Sequence, residues 1–180
     1  MIKLKRRTHN IFSFAIALWI STYLHIIDSL IYAISISLFF AIALNWLIDS
    51  LAGHKGMRRT PYTHSPIGVL MLSLLLVASM AIVLRTIGAN MSLHEFLDLL
   101  LLAYIVGASH LFLDMLTADG VYLIWPFGNT KISLLKARYD NRLLNNFVQF
   151  LSIVIIVLLI LKLSGYNIFS YLKFLTLIYG

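Results

Sequence analysis

The chain contains no cysteine. That absence excludes disulfide staples, thiolate metal ligands and a cysteine nucleophile, so any bound metal has to be held by His, Asp and Glu. Charge is also scarce: charged residues are 12% of the 180, with 7 acidic side chains against 14 basic ones, and there are only 3 prolines to interrupt helices. No internal repeat and no low-complexity tract is present, which excludes solenoid and linker architectures. What is there is apolar. Hydrophobic residues make up 61% of the chain and the mean hydropathy is +0.92, well outside the composition of a soluble domain. An integral membrane protein is expected, and the relevant unit is the run of about 20 apolar residues that crosses a hydrocarbon core of about 30 Å.

Five runs approach that length: Ile11 to Ile27, Leu30 to Leu51, Ile67 to Leu84, Phe96 to Met115 and Phe147 to Leu163. They predict an all-α fold, a polytopic bundle of about five transmembrane helices. A single helical domain covers residues 1–165, and an apolar interfacial tail follows at 166–180. The first run follows a basic N-terminus but lacks a small-residue cleavage motif, so it reads as a retained span. Only Asp28 and Ser29 separate it from the second, which predicts a tight helical hairpin. Ser92 with Glu95 fits a capping box at the start of the fourth helix. Trp125, Pro126 and Phe127 interrupt the longest polar connection and favour an interfacial or re-entrant turn.

Positive charge falls in three places: Lys3, Lys5, Arg6 and Arg7; Lys55, Arg58 and Arg59; and Lys131, Lys136, Arg138 and Arg142. With five spans these segments share one side, so the N-terminus is expected in the cytoplasm and the C-terminus outside. The basic residues flank apolar runs rather than lining a polar face with interleaved aromatics, so no nucleic-acid partner is expected. The lipid bilayer is.

On that topology the ionisable residues gather at one end. His9 precedes the first run, Asp49 ends the second, His54 and His64 follow it, and His110 and Asp114 end the fourth. His110 and Asp114 are i and i+4, on one helix face, where a divalent ion gives imidazole and carboxylate a reason to converge. Zinc is the first expectation, with manganese or iron as alternatives. The same pair can also fix helix packing by hydrogen bonding. The stretch GHKGMRRTPYTHSPIG (53–68) adds forked donors suited to phosphate in Arg58 and Arg59. Thr63 and Ser65 flank His64, and with Thr117 they can orient ligands from behind. Those arginines also suit anionic lipid headgroups.

The segments RRTHNIF (6–12), IDSLAGH (48–54), RRTPYTHSPIG (58–68) and SHLFLDMLTADGVYLIWPF (109–127) together resemble the family of membrane-bound metal-dependent hydrolases, also called LexA-binding, inner-membrane-associated hydrolases. The likeness covers about the first 130 residues, and RRTP before THS is closest to archaeal members. The order His9, Asp49, His64, His110, Asp114 also resembles, more remotely, the ligand order of zinc-dependent phospholipase C and the S1/P1 nucleases. No histidine follows His110, so a three-zinc site is not expected.

Two functions remain open on sequence. One is a membrane-embedded metal-dependent hydrolase of a phosphoester, such as a phospholipid, at the cytoplasmic leaflet. In it His9, Asp49, His64, His110 and Asp114 bind the metal, Arg58 or Arg59 neutralises phosphate, and Asp119 or Asp49 is the general base. The other is non-enzymatic: a structural metal or His/Asp site in a protein of membrane remodelling or partner docking. Oligomeric state is not encoded legibly.

Overall fold

A computed structural model describes residues 6–50, 54–55, 58–138 and 140–164, with the side chains of His54, Lys55 and Arg58 outside the description. The 166–180 tail expected at the interface also lies outside the described residues. Five helices follow in order: α1 (Arg6–Tyr23), α2 (Leu30–Ser50), α3 (Pro66–Thr86), α4 (Leu93–Met115) and α5 (Arg142–Leu163). Between α2 and α3 a two-residue antiparallel ladder pairs β1 (His54–Lys55) with β2 (Arg58–Arg59).

The helix ends have local causes. Ser65 caps α3 by accepting from the Gly68 N–H, with Pro66 in the first turn where a missing N–H costs nothing. Ser92 and Glu95 form the expected capping box of α4. Asn141 caps α5 by accepting from the Leu144 N–H, so that helix starts at Arg142, more than a turn before the apolar run at Phe147. The α1–α2 connection departs from expectation. α1 stops at Tyr23, and residues 24–29, not two residues, make the turn, with His25 at φ 51°.

α2, α3, α4 and α5 are long and apolar enough to cross a membrane. The expected fifth span does not reach that standard, because α1 spends its first turns on Arg6, Arg7, His9 and Asn10. At 18 residues it still measures about 27 Å, and it packs against α2, α4 and α5, while α3 closes the other side against α4 and α2. Outward faces carry Ile31, Met71, Leu75, Ile82, Phe147, Phe150 and Ile153, all exposed. A water-facing surface of that kind would aggregate, whereas a lipid-facing one is unremarkable. The chain is a helical membrane protein.

Inside, Phe40, Leu44, Val77, Leu102, Ala103 and Val106 form the central core, and Ile48, Val69, Leu111 and Val121 a second one toward the polar end. Lipid is as apolar as leucine, so close packing and polar contacts hold these helices together more than apolar burial does. Ser13 Oγ and Ser109 Oγ meet at 2.7 Å across α1 and α4, and Thr8 Oγ1 donates to Asn145 Oδ1 at 2.8 Å across α1 and α5. Gly107 lets α4 approach α3: a Cβ there would stand 2.3 Å from Val69 Cγ1. Gly107→Ala is therefore expected to cost about 1–3 kcal/mol, read as a lower melting temperature in detergent, with Val69→Ala restoring part of it. A melt unchanged by Gly107→Ala would show that the two helices do not pack this closely.

Candidate metal centre

Four segments bring chemistry to one end of the bundle. The first turns of α1 deliver His9, the last turn of α2 delivers Asp49, the turn before α3 delivers His64, and the last turns of α4 deliver His110 and Asp114. For the four helical residues the local reason is the same, polar side chains near helix ends turned inward by the helical repeat, whereas His64 is placed by the turn that leads into the Ser65 cap of α3. The five predicted ligands come together. His9, His110 and Asp114 offer atoms within 4.8 Å of one another, as do Asp49, His64 and His110.

Asp114 is the hub. Its Oδ2 lies 3.3 Å from His110 Nε2 and 3.4 Å from His64 Nε2, and its Oδ1 lies 3.5 Å from His9 Nε2. Asp49 Oδ1 stands farther off, 4.0 Å from the Nε2 atoms of both His64 and His110. Two tetrahedral donors with bonds of about 2.0–2.2 Å to one ion lie about 3.3–3.6 Å apart. The edges from Asp114 to His64, His110 and His9 match that spacing, and the Asp49 edges exceed it.

The protein holds these donors from behind. His110 Nδ1 lies 2.9 Å from Asn45 Oδ1, while Asn45 Nδ2 donates to Ser13 Oγ at 3.4 Å. The Asn45 oxygen therefore faces the ring, accepts from Nδ1–H and leaves the Nε2 lone pair for a metal. His64 Nδ1 likewise meets Thr63 Oγ1 at 3.0 Å. His110 Nε2 and Asp114 Oδ2 are both buried and make no hydrogen bond of acceptable geometry. A buried imidazole nitrogen and a buried carboxylate oxygen left so are costly unless something else binds them.

Arg59 has a different place from the one expected. It is 7% exposed, its Nη2 donates to Asp114 Oδ1 at 2.5 Å, and its Nη1 reaches Asp114 O, Thr117 Oγ1 and Gly120 O at 3.2, 2.8 and 3.1 Å. The guanidinium is thus committed to the Asp114 end of α4 rather than held out for a phosphate. Gly120, at φ +61°, makes the turn that presents its carbonyl, and a Cβ there would stand 2.6 Å from Ile132 O. Thr117 serves Arg59 and the Asp114 carbonyl rather than an imidazole. Ser65 is a helix cap. Asp119 is not gathered: its carboxylate is 46% exposed and pairs with Lys131 at 3.7 Å. The side chain of Arg58 lies outside the described residues.

Sequence reading missed Asn45. It sits i, i+4 from Asp49 on α2, the same spacing that draws attention to His110 and Asp114, and an amide in an apolar run is a comparable signal.

Burial pushes His64 down from 6.5 to about 3, with His110 and Arg59 acting in the same direction against Asp114 and Asp49. Its folded value lies below the unfolded one, so between those limits the unfolded chain binds a proton that the folded chain refuses. Metal-stripped protein is therefore expected to lose stability steadily as pH falls from about 6.5, and to lose it less steeply in His64→Gln. Parallel melting curves of the two proteins from pH 7.5 to 4.5 would contradict this.

No curated protein and no solved structure matches the chain. One family model, described as a protein of unknown function (DUF1286), matches residues 4–113. That span holds His9, Asp49, His64 and His110 and stops one residue short of Asp114, and the chain belongs to that family.

Proposed function

We propose that this end of the bundle is the divalent-metal centre of a membrane-embedded hydrolase acting on a phosphoester, such as a phospholipid, at the cytoplasmic leaflet. The observation that carries the reading is the convergence of His64 Nε2 and His110 Nε2 on Asp114 Oδ2 at 3.4 and 3.3 Å, all three side chains buried. Imidazole with carboxylate suits zinc first and manganese or iron next. Bound there, such an ion supplies Lewis-acid polarisation and an acidified water. The chain's own residues do the rest. Asn45 and Thr63 fix the imidazoles, and Arg59 fixes the carboxylate. Asp49, the less buried of the two carboxylates and 4.0 Å from the Nε2 atoms of both imidazoles, would serve as the proton acceptor. Asp119, paired at the surface, is replaced by Asp49 in that role. The likeness to membrane-bound metal-dependent hydrolases supports the reaction class.

The burial of His64, His110 and Asp114 also favours a second reading, a closed structural metal site in a remodelling or docking protein, with Asp49 drawn in as the fourth ligand. Turnover separates the two. Purified protein is incubated with phospholipid vesicles and with bis(p-nitrophenyl) phosphate, before and after chelation. The hydrolase reading expects hydrolysis that chelation abolishes and zinc or manganese restores, with Asp49→Asn slowing it at least tenfold while the metal stays bound. A metal that is retained and raises melting temperature, with no hydrolysis of any phosphoester, is the structural outcome.

Orientation has its own test. Single cysteines at Thr130 and Asn90, both exposed and at opposite ends of the bundle, are expected to react from the cytoplasm and from outside respectively. The reverse pattern would place the metal end outside.

A further inference from the structure

The two donor triads overlap at His110, an arrangement that at first sight suggests a pair of ions. We infer instead that the centre holds one ion, between His64, His110 and Asp114, that Arg59 occupies the place of a second cation, and that His9 lies outside the ion's ligand shell. This inference rests on the metal-centre reading above.

Three observations carry it. An imidazole nitrogen has one lone pair, and His110 has only Nε2 to give, because Nδ1 is taken by Asn45 Oδ1 at 2.9 Å. An ion on the His64 side and an ion on the His9 side would compete for the same atom. Second, a paired-metal centre needs a carboxylate that offers an oxygen to each ion, and Asp114 has spent Oδ1 on the Arg59 guanidinium at 2.5 Å. A second ion there would meet a fixed positive charge that three further acceptors hold in place.

Third, charge decides the count. Among the described side chains the cluster carries two carboxylates, Asp49 and Asp114, and one guanidinium, and an imidazole that ligates a metal does so as the neutral ring. One divalent ion takes that sum from −1 to +1, and two would take it to +3 in a site of low polarity, where unpaired charge is expensive. His9 then has a packing place: its ring stacks on His110 at 4.1 Å, with Nε2 toward the oxygen that Arg59 already holds.

The test is a zinc titration of metal-stripped, detergent-purified protein, read by elemental analysis and zinc-edge X-ray absorption. Wild type is expected to saturate at one ion per chain, with no metal–metal vector. His9→Ala and His9→Gln are expected to saturate at one as well, with affinity within about threefold of wild type. Two ions in wild type falling to one without His9 would overturn the inference and leave the metal centre standing. A folded His9→Gln protein that binds none would make His9 a ligand and overturn it too. No ion in wild type would remove the metal centre itself.

Discussion

Asp114→Ala is expected to lower the melting temperature of the metal-free protein by roughly 6–20 °C, on the basis that breaking a buried ion pair costs about 3–5 kcal/mol and each kcal/mol moves a chain of this size by about 2–4 °C. The alanine leaves the Arg59 guanidinium without its carboxylate. Arg59 cannot turn to water, since Nη1 is fixed by the carbonyls of Asp114 and Gly120 and by Thr117 Oγ1. The penalty is thus that of an uncompensated buried charge rather than of one lost contact. Asp114→Asn keeps an acceptor for Arg59 and should cost less. A double variant, Asp114→Leu with Arg59→Met, removes both charges and is expected to recover most of the loss, as apolar replacement of buried pairs often does. Detergent melts of the four proteins decide the matter. A single Asp114→Ala variant that melts with wild type would mean that the pair does not hold the end of α4.

His110→Ala is expected to abolish high-affinity metal binding, a loss of more than a hundredfold, with a smaller effect on the fold. His110 is shared by both donor triads, so nothing nearby replaces its Nε2. The same reasoning ranks the residue behind it. Asn45→Ala removes the acceptor that fixes the tautomer and orientation of the ring and is expected to weaken affinity by about 10–100-fold, the usual effect of losing such a partner. Asn45→Ala binding as tightly as wild type would show that the 2.9 Å contact does not set the ring. Metal affinity of the three proteins, measured against a competing chelator, separates ligand from support.

The spans and the gathering of His9, Asp49, His64, His110 and Asp114 were legible because both follow from where apolar runs begin and end. Once the runs are placed, alternation of direction brings those helix ends together without any tertiary information. α1 was legible as a helix but not as the odd member, because a run of apolar residues from Ile11 hides that its first turns are polar, with His9 turned to the site and Thr8 bonded to Asn145 on α5. Arg59 was not legible in its actual role. A positive charge in a loop between spans ordinarily reads as a topology signal, and only the fold of 116–121 back over β2, with Gly120 turning its carbonyl inward, commits that arginine to Asp114. The 116–141 connection was equally hidden. Its bonds, such as Val121 N–H to Ile132 O at 3.0 Å and Ala118 N–H to Ala137 O at 2.9 Å, are isolated bridges between residues with no strand periodicity.

The most direct measurement is the metal content of detergent-purified protein, wild type beside His64→Ala and His110→Ala, after reconstitution with zinc, manganese and iron in turn. About one equivalent of zinc in wild type, lost in both variants while their helical content is kept, is the expected result. Wild type that takes up none of the three, or variants that bind as much as wild type, would contradict a metal centre built on His64, His110 and Asp114.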